Sequence, residues 1–404
     1  INVCGYTGFF FTLFQHMKKK IAILGSTGTI GTSTLEIVSK DISKFSVELL
    51  TANTNYKKLI AQAVKFKAKN ILIYNEKFYP ILKKRLKKYK IKIYCGNISL
   101  RKIISKKIDY TMCANTGIAG LKPTLDSIKI SRVVAIANKE SIICGWHLIE
   151  KLTRIYKTKI YPVDSEHFSI MQLTNSCNNK DIQEIILTAS GGPFLKSSIK
   201  SLKQKKSSSA IKHPRWKMGK KISIDSANLM NKVFEIFEAY SFFKFDYDKF
   251  KILIHPQSYV HAIVRYTNGL IKMILHDTDM KIPIANTLYE KDTNIKNVRD
   301  INPINFSNLH FEAADPKRFP SLTLLKVVKK NNYMAPTILN ASNEELVKLF
   351  LDGKIYFTDI VKVLKKITKL RDFKRFSKKR PKTINDIMYI DQWARLKTQS
   401  LSVE

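Results

Sequence analysis

The first half of the chain alternates short apolar runs with segments of helical periodicity. Residues 21–24 form an apolar run, a glycine-rich segment follows, and residues 34–39 have helical character. Further apolar runs predict strands at 45–52, 70–74, 91–94, 110–113 and 133–136, with helices at 59–66 and 79–89. The alternation predicts an α/β unit built on a parallel, doubly wound sheet with right-handed crossovers.

The pattern changes after Asp164. Four apolar runs predict strands at 185–189, 251–254, 261–266 and 270–275, and Asn268-Gly269 between the last two predicts a hairpin turn. We therefore expect a second, α+β domain with an antiparallel portion. Residues 302–315 lack a clear strand pattern and are predicted to be a linker. From residue 321 onward the periodicity is mainly helical, with breaks at 331–332, 353 and 381, and predicts a C-terminal helical bundle.

The 404 residues carry a formal net charge of +39, which raises the question of nucleic-acid binding. The lysines are spread along the whole chain together with much Ile and Asn, as an AT-rich genome would produce. Neither a zinc-finger spacing nor an RNP-like aromatic motif accompanies them. Nucleic acid is therefore not the predicted partner, although the charge would attract phosphorylated small molecules over a long range.

Composition also bears on the compartment. The sequence has no run of about 20 apolar residues such as a bilayer span requires. The five cysteines are far apart and odd in number, which argues against a disulfide scaffold and a structural zinc site and favours a reducing cytoplasm. We interpret Met17 as the natural start and the segment before it as an upstream extension. A signal peptide is the alternative, but the basic start and the small-residue cleavage site are lacking.

The glycine-rich segment has the spacing Gly25-x-x-Gly28-x-x-Gly31 between a predicted strand and a predicted helix. Such a turn lets the backbone approach a pyrophosphate at a helix N-terminus, although a turn without a nucleotide is the simpler alternative. NAD sites usually have a carboxylate after the second strand, whereas this chain has residues 51–55 without one, followed by two lysines at 57 and 58. NADPH is therefore favoured over NADH.

Two carboxylates follow the apolar run before Pro162. Asp164 and Glu166 are two residues apart, and on an extended segment they would point to the same side. Like charges so placed repel each other unless a cation or a shared proton intervenes, and all-oxygen ligands suit Mg²⁺ or Mn²⁺. The alternative is a solvated strand end.

A third carboxylate lies in residues 225–235. If residues 228–239 form a helix, Asn231 and Glu235 share a face at i,i+4, and Lys232 lies beside them. An amide, an ammonium and a carboxylate together could hold a phosphate and a metal. An ordinary surface ion pair between Lys232 and Glu235 is the alternative.

Taken together, these segments indicate one protein family much more specifically than any one of them does. The chain resembles the 1-deoxy-D-xylulose 5-phosphate reductoisomerases in the order of its motifs: GSTGTIG at 25–31, ANKES at 137–141, PVDSEH at 162–167, ASGGPF at 189–194, HPRWKMG at 213–219, DSANLMNKVFE at 225–235 and HPQS at 255–258. Two C-terminal segments, DPKRFP at 315–320 and LNASNE at 339–344, extend the likeness. It runs from about residue 18 into the C-terminal bundle.

The resemblance implies roles for individual residues. The metal ligands would be Asp164, Glu166 and Glu235, holding Mg²⁺ or Mn²⁺, with Co²⁺ as a further candidate. The substrate phosphate would be held by Ser190, Ser226, Asn231 and Lys232, and the reacting part of the sugar contacted by Ser165 and Lys139. A mobile loop over the substrate would contain His213 and Trp216. NADPH would be bound by Gly25, Thr27, Gly28, Thr29, Ile30, Asn53, Thr54, Asn55, Asn138, Glu140, Met218 and Gly219.

The family's reaction converts 1-deoxy-D-xylulose 5-phosphate, a sugar phosphate, to 2-C-methyl-D-erythritol 4-phosphate by rearrangement and NADPH-dependent reduction, in non-mevalonate isoprenoid precursor biosynthesis. A homodimer is also implied, in which edge strands of the second domain could pair. Lys139 could move protons between oxygens if its pKa were lowered near the metal, or it could act as an electrostatic contact only.

The resemblance also implies a division into domains. We predict a Rossmann-like NADPH-binding domain at 18–163, a catalytic and dimerisation domain at 164–298, a linker at 299–314 and a helical domain at 315–404, after an extension at 1–17. The sequence departs from the family pattern at four positions, which are Arg215, Lys217, Phe168 and Val233. Val233 precedes the predicted metal ligand Glu235 and could tighten the packing there.

Three other functions compete with this one. An NADPH-dependent dehydrogenase of the aspartate-semialdehyde or homoserine type would not need the three carboxylates, a basic nucleic-acid-binding protein would not turn over a substrate, and a decayed relative would have lost its site residues. His255, His261 and His276 are interpreted as core or edge histidines rather than ligands. Glu344 and Glu345 are interpreted as residues that cap or solvate a helix, and the basic residues of 371–382 as a solvated surface.

Overall fold

The computed structural model describes residues 18–216, 218–290, 302–328 and 331–403. The predicted N-terminal extension, Lys217 and part of the predicted linker lie outside these residues. Within them, every helix is too short or too polar to cross a bilayer.

The N-terminal half forms a seven-stranded sheet in which all paired strands are parallel. Its strand order is β4-β3-β2-β1-β5-β6-β7. The strands are β1 (Lys19–Leu24), β2 (Phe45–Ala52), β3 (Asn70–Ile73), β4 (Lys92–Cys95), β5 (Ile108–Cys113), β6 (Ser131–Ile136) and β7 (Lys159–Pro162). The helices between them are α1 (Thr29–Lys40), α2 (Tyr56–Lys65), α3 (Tyr79–Arg85), α4 (Leu121–Ile130) and α5 (Lys139–Tyr156). The predicted doubly wound α/β fold is confirmed.

The strand order reverses at β1, which lies between β2 and β5. Leu24 at the end of β1 pairs with Cys113 at the end of β5. Ligands of doubly wound sheets bind in the crevice outside the carboxyl ends of the strands at such a switch point. The glycine-rich turn leaves β1 at this position, so the fold places it where a dinucleotide would bind.

The central part of the chain forms a second, mixed sheet of five strands in the order β11-β10-β8-β9-β12. The antiparallel pair β10–β11 has the predicted turn at Asn268-Gly269, where Gly269 has a φ of +87°. The predicted linker contributes the edge strand β12, because residues 312–313 pair with β9. The elements are α6 (Ser165–Thr174), β8 (Ile182–Ala189), α7 (Ser207–Ala210), α8 (Lys220–Ala227), α9 (Met230–Phe243), β9 (Phe250–Ile254), β10 (Val260–Tyr266), β11 (Ile271–Leu275), α10 (Lys281–Tyr289) and β12 (Glu312–Ala313).

The predicted C-terminal helical bundle is confirmed, and within the described residues it consists of four helices. They are α11 (Ala335–Leu351), α12 (Phe357–Lys369), α13 (Arg371–Ser377) and α14 (Ile384–Val403). The helix α11 is buried along nearly its whole length because it packs against α14, α12 and α5. The bundle and one face of the N-terminal sheet therefore share a single hydrophobic core.

The helix α9 is the central element of the molecule. Phe234 and Phe237 belong to the core shared with the bundle, whereas Ile236 and Ala239 pack against the second sheet. The helix begins later than predicted, because Leu229 has a φ of +59° and separates α8 from α9, which leaves Asn228 outside the helix. A helix buried on so many sides has few solvent-facing positions, so its polar side chains must find partners inside the protein.

The helix α10 belongs by packing to the N-terminal sheet. Ile284, Ala285 and Leu288 lie in the core on the second face of that sheet, and Thr287 is hydrogen-bonded to Tyr110 of β5 at 2.9 Å. The predicted boundary at residue 298 assigned this helix to the catalytic domain. The chain instead returns to the N-terminal sheet after completing β11.

Candidate active site

The beginnings of two helices meet the side of a third to form a buried polar cluster. Lys139 begins α5 at the carboxyl end of β6, and Asp164 is the N-cap of α6 at the carboxyl end of β7. Their side chains face α9, which passes alongside. The prediction that Asp164 and Glu166 lie on an extended segment is wrong: the chain turns into α6 at Asp164, whose carboxylate accepts the backbone N–H of Glu166 at 3.3 Å.

The structure brings the three predicted metal ligands together. Asp164, Glu166 and Glu235 each offer a carboxylate oxygen, and these oxygens lie within 4.8 Å of one another. We call these three residues the carboxylate triad. The Ser165 hydroxyl donates to Glu166 Oε2 at 2.6 Å, so this predicted sugar contact also orients a triad carboxylate.

The predicted face of α9 is present and buried. The Asn231 amide and the Lys232 ammonium both donate to Glu235, the latter at 2.5 Å, and Lys232 also pairs with Glu166. The Lys232 side chain is only 5% exposed, so the alternative of a surface ion pair is excluded. Burial lowers the pKa of Lys232, but Glu166 and Glu235 raise it by more, so the ammonium is retained.

Electrostatics in the triad favour a divalent cation. Burial and the neighbouring Glu166 carboxylate raise the pKa of Glu235 to about 7. Burial likewise raises the pKa of Glu166, with Asp164 adding to the shift and Lys232 opposing it. Crowded carboxylates resist ionisation because their negative charges repel one another, and a bound dication offsets this repulsion. Three oxygen ligands suit Mg²⁺ or Mn²⁺. The residues present therefore fit the predicted metal.

Lys139 is held by carboxylates on three sides. Its Nζ lies 3.1 Å from Asp164, 3.1 Å from Glu238 and 3.7 Å from Glu235. Burial lowers the pKa of Lys139, but these three carboxylates outweigh it and hold the pKa well above the usual value. Lys139 therefore keeps its ammonium among these carboxylates, which suits an electrostatic contact, and its role in proton movement stays a prediction.

Two residues of this cluster were missed by sequence reasoning. Glu238 is buried on α9, and burial raises its pKa to about 7. His167 places Nε2 at 2.8 Å from the Glu235 carbonyl oxygen and Nδ1 at 3.5 Å from Asp164 and 3.8 Å from Glu238. Residues 231, 235 and 238 follow an i, i+4, i+7 spacing, so helical periodicity could have found Glu238.

A second polar pocket lies beside the triad. Ser190 follows β8, and its hydroxyl lies 2.8 Å from His213 Nε2 and 3.4 Å from the hydroxyl of Ser226 at the end of α8. The backbone N–H of Gly192 also donates to Ser190. Hydroxyl groups, a backbone N–H and an imidazole N–H are suitable donors for phosphate oxygens. Two predicted phosphate contacts, Ser190 and Ser226, are thus brought together with the predicted loop residue His213.

The tautomer of His213 follows from its contacts. Its Nδ1 accepts the backbone N–H groups of Arg215 at 3.2 Å and Trp216 at 2.9 Å, so the ring proton lies on Nε2 and faces the two serines. Burial, assisted by the Lys232 ammonium, lowers the pKa of His213 to about 4. The imidazole is therefore neutral at physiological pH and acts as a donor.

Trp216 is half-buried against a stack of rings. Its indole meets His261 edge to face at 5.9 Å, and His261 stacks on His276 with the ring centroids 3.8 Å apart. Both histidines have backbone carbonyl oxygens as partners, as expected for structural residues. His261 nevertheless supports the predicted loop residue.

In the glycine-rich turn, two glycines lie so close to neighbouring backbone that a side chain would not fit. Gly25 has a φ of +76°, and a Cβ there would lie 2.6 Å from the carbonyl oxygen of Ala114 on the loop after β5. A Cβ on Gly31 would lie 2.4 Å from the Gly25 oxygen. Gly28 precedes α1, and a Cβ there would meet the Gly25 oxygen at 3.4 Å, an ordinary contact, so the glycine leaves the N–H groups at the start of the helix accessible.

The remaining predicted cofactor residues differ in their burial. Thr29, Asn53, Thr54, Asn55 and Gly219 are exposed, and Thr27, Ile30, Glu140 and Met218 are half-buried. Asn138 is buried: its amide donates to the carbonyl oxygens of Asn115 and Gly117, and its side-chain oxygen accepts the N–H of Ser141. Asn138 thus shapes the loop after β5 as well as the start of α5.

A further ion-pair network joins this site to the C-terminal bundle. Lys221 of α8 lies 3.0 Å from Asp225 and 3.7 Å from Glu140, and Asp225 accepts the amide of Asn343 on α11. The prediction that Glu344 merely caps or solvates a helix is wrong, because it pairs with Arg395 of α14 at 2.5 Å. Glu345, predicted likewise, is buried and bonded to Gln399.

The departures from the family pattern are accommodated. Val233 is fully buried in the core shared with the bundle, and Phe168 is buried with its ring 6.3 Å from that of His276. Arg215 is exposed. None of these side chains displaces a member of the carboxylate triad.

Fold and site together define a nucleotide-dependent, metal-requiring enzyme of phosphorylated small molecules. Models of the 1-deoxy-D-xylulose 5-phosphate reductoisomerase match residues 21–145, and models of that enzyme's C-terminal domain match residues 160–243 and 275–397. The reductoisomerase of Pelagibacter ubique is 47% identical over 95% of this chain and 100% of its own length, and that of Zymomonas mobilis 37% identical over 95% and 97%. The chain belongs to the 1-deoxy-D-xylulose 5-phosphate reductoisomerase family.

Solved structures of reductoisomerases support the same family assignment. The Zymomonas mobilis reductoisomerase in complex with NADPH superposes with a TM-score of 0.87 at 36% identity, over 95% of this chain and 99% of that chain. A reductoisomerase in complex with NADPH, fosmidomycin and magnesium has a TM-score of 0.88 at 31% identity, over 95% and 98%. The three-part architecture of this chain is therefore that of its family.

The lowered pKa of His213 predicts a pH-dependent loss of stability. The unfolded chain gains a proton on this residue near pH 6.5, whereas the folded chain gains it only near pH 4. Between these values the unfolded state binds more protons, so stability falls as the pH decreases. His213→Asn removes this contribution. Urea unfolding at pH 7 and pH 5 should show a larger loss for the wild type than for the variant.

The matched control is His310→Asn, which should lose as much stability as the wild type over the same interval. An equal loss in His213→Asn and the wild type would show that His213 titrates normally in the folded protein.

Proposed function

We propose that this chain converts 1-deoxy-D-xylulose 5-phosphate to 2-C-methyl-D-erythritol 4-phosphate with NADPH and Mg²⁺, as a step of isoprenoid precursor biosynthesis. The observation that best supports this is that Lys139 contacts the carboxylate triad, while Lys232, which pairs with two members of the triad, is close enough to His213 of the serine pocket to lower its pKa. A metal site, a phosphate pocket and a nucleotide turn are all required by a reaction that rearranges and then reduces a sugar phosphate.

Asp164, Glu166 and Glu235 are the proposed metal ligands, with Mn²⁺ or Co²⁺ as possible substitutes for Mg²⁺. When bound, the ion supplies a Lewis acid for the carbonyl and neighbouring hydroxyl oxygens of the sugar. The Lys139 ammonium lies beside the triad and donates hydrogen bonds to the same oxygens, stabilising negative charge as it develops. Ser165 keeps Glu166 oriented and offers its hydroxyl to the sugar.

The phosphate group is proposed to bind away from the reacting carbons. Ser190, Ser226 and the Nε2–H of His213 supply donors, and Asn231 and Lys232 extend the pocket toward the triad. Binding energy at this remote group orients the sugar for reaction. Trp216 covers the site and excludes water.

NADPH is proposed to bind across the switch point, with its pyrophosphate against Gly28 and the N-terminus of α1. When bound, it supplies the hydride for the aldehyde formed by rearrangement. Asn53, Thr54 and Asn55 follow β2 without a carboxylate and suit a 2′-phosphate. The thiols of Cys95, Cys113, Cys144 and Cys177 are free, which supports a reducing cytoplasmic compartment that cell fractionation would test.

The reaction and its ligand set are tested together by Glu235→Gln. NADPH oxidation with 1-deoxy-D-xylulose 5-phosphate should require Mg²⁺ and stop with a chelator. The variant should lose about 10²–10³-fold in kcat/KM, because an amide neither ionises nor binds a dication as well. Glu184→Gln on β8 is the control and should retain activity. Full turnover in the chelator, or in Glu235→Gln, would contradict the proposed metal site.

The nucleotide site is tested by Gly28→Ala. Gly28 has a φ of −76°, and a Cβ there would come no closer than 3.4 Å to the Gly25 oxygen, so the folded protein should tolerate it. A methyl group in the cradle should nevertheless hold the pyrophosphate away and raise the NADPH dissociation constant about tenfold, equivalent to ~1.4 kcal/mol. Fluorescence titration measures this. An unchanged dissociation constant with an unchanged thermal midpoint would exclude this turn as the binding site.

We further propose a homodimer formed through the edge strand β11. Leu270 and Ile271 are more than half exposed, and Met273 is 42% exposed, which is unusual for an apolar sheet edge in a monomer. Met273→Lys should therefore weaken the dimer, whereas Met388→Lys, at a similarly exposed position on α14, should not. Sedimentation velocity distinguishes a dimer from a monomer of 46.5 kDa. A wild-type monomer at micromolar concentration would exclude the dimer.

A further inference from the structure

Glu238 is the carboxylate of the buried cluster that the metal triad does not include. Its Oε2 accepts a hydrogen bond from the Lys139 ammonium at 3.1 Å, and its side chain is only 1% exposed. It lies three residues beyond Glu235 on α9, so the same helix that supplies a triad ligand also supplies this carboxylate. The His167 ring lies at 3.8 Å on its other side.

Lys139 would compete with a metal ion for two of its three partners. Asp164 and Glu235 both belong to the triad, and each must direct oxygens toward a bound dication. An ammonium and a dication repel each other, so Lys139 would be driven from the site unless a separate carboxylate held it there. Among the partners of Lys139 in the described residues, Glu238 is the one outside the triad.

We propose that Glu238 is a positioning residue, which holds the Lys139 ammonium beside the metal site and so lets an ammonium and a dication act on the same substrate. It acts through Lys139 and does not bind the metal. This inference rests on the proposed function, in which Lys139 contacts the reacting part of the sugar. The arrangement also releases Asp164 from Lys139 for metal binding, since Glu238 supplies the counterion that Asp164 would otherwise provide.

A metal-ligand role for Glu238 is the competing explanation, because Asp164, His167 and Glu238 also have ligand atoms within 4.8 Å of one another. The Lys139 ammonium argues against it, because its Nζ lies 3.1 Å from Asp164 and 3.1 Å from Glu238 and so takes the space beside Glu238.

A double-mutant cycle separates the two explanations. The variants are Glu238→Gln, Lys139→Gln and the double variant, each assayed for turnover and for Mn²⁺ binding by electron paramagnetic resonance without substrate. With Lys139 present, Glu238→Gln should lower kcat about 10- to 100-fold. It should also weaken Mn²⁺ binding several-fold, because the Lys139 ammonium then pairs with Asp164 and Glu235 alone and competes with the ion for them. In the Lys139→Gln background, both effects should shrink to less than about twofold.

Equal losses in the two backgrounds would overturn the inference, and a large loss of Mn²⁺ affinity in both would make Glu238 a metal ligand. Glu150→Gln is the matched control, since Glu150 also pairs with a lysine, Lys244 at 3.2 Å, but lies away from the triad on α5. If Glu238→Gln does not fold, Glu238→Asp retains the charge and withdraws the carboxylate by one methylene, and the same comparison of backgrounds applies.

The failure of this inference is distinguishable from the failure of the proposed function. A wild-type protein that binds Mn²⁺ but does not turn over 1-deoxy-D-xylulose 5-phosphate would contradict the function alone. The Mn²⁺ measurements would then still show whether Glu238 controls the competition between Lys139 and the ion.

Discussion

The site depends on the compensation of buried charge where α5, α6 and α9 meet. Four carboxylates and two ammonium groups lie there with side chains between 1% and 25% exposed, and each would be costly to bury alone. They are held in place because α9 packs against hydrophobic cores on two sides and presents its polar residues to the ends of the other two helices. The same packing that stabilises the fold therefore sets the distances in the active site.

Much of the fold could be predicted from the sequence because its signals are local. Apolar runs and glycine spacing indicated the doubly wound sheet, and Asn268-Gly269 indicated the hairpin. Two features depend on packing between distant segments and have no local signal. One is the return of α10 to the N-terminal sheet, and the other is the edge strand formed by residues 312–313, which is too short for periodicity to reveal.

The candidate site was predicted in its residues more accurately than in its geometry. The carboxylate triad does come together, but Asp164 caps a helix, and the extended segment from which its pairing with Glu166 was argued does not exist. Lys139 shows a different limit of prediction from the sequence. Its charge state depends on Asp164 and on Glu238, which lies 99 residues away in sequence, so the sequence could not show which carboxylates surround its ammonium.

The packing of α10 has a consequence for biosynthesis. Ile284, Ala285 and Leu288 cover part of a sheet face on which α1, α2 and α3 also pack, so this part stays open to solvent until α10 has been synthesised. An emerging sheet with a partly uncovered face would be a target for chaperones that bind nascent chains. Segments cut before residue 281 should for the same reason aggregate more readily than their size alone would suggest.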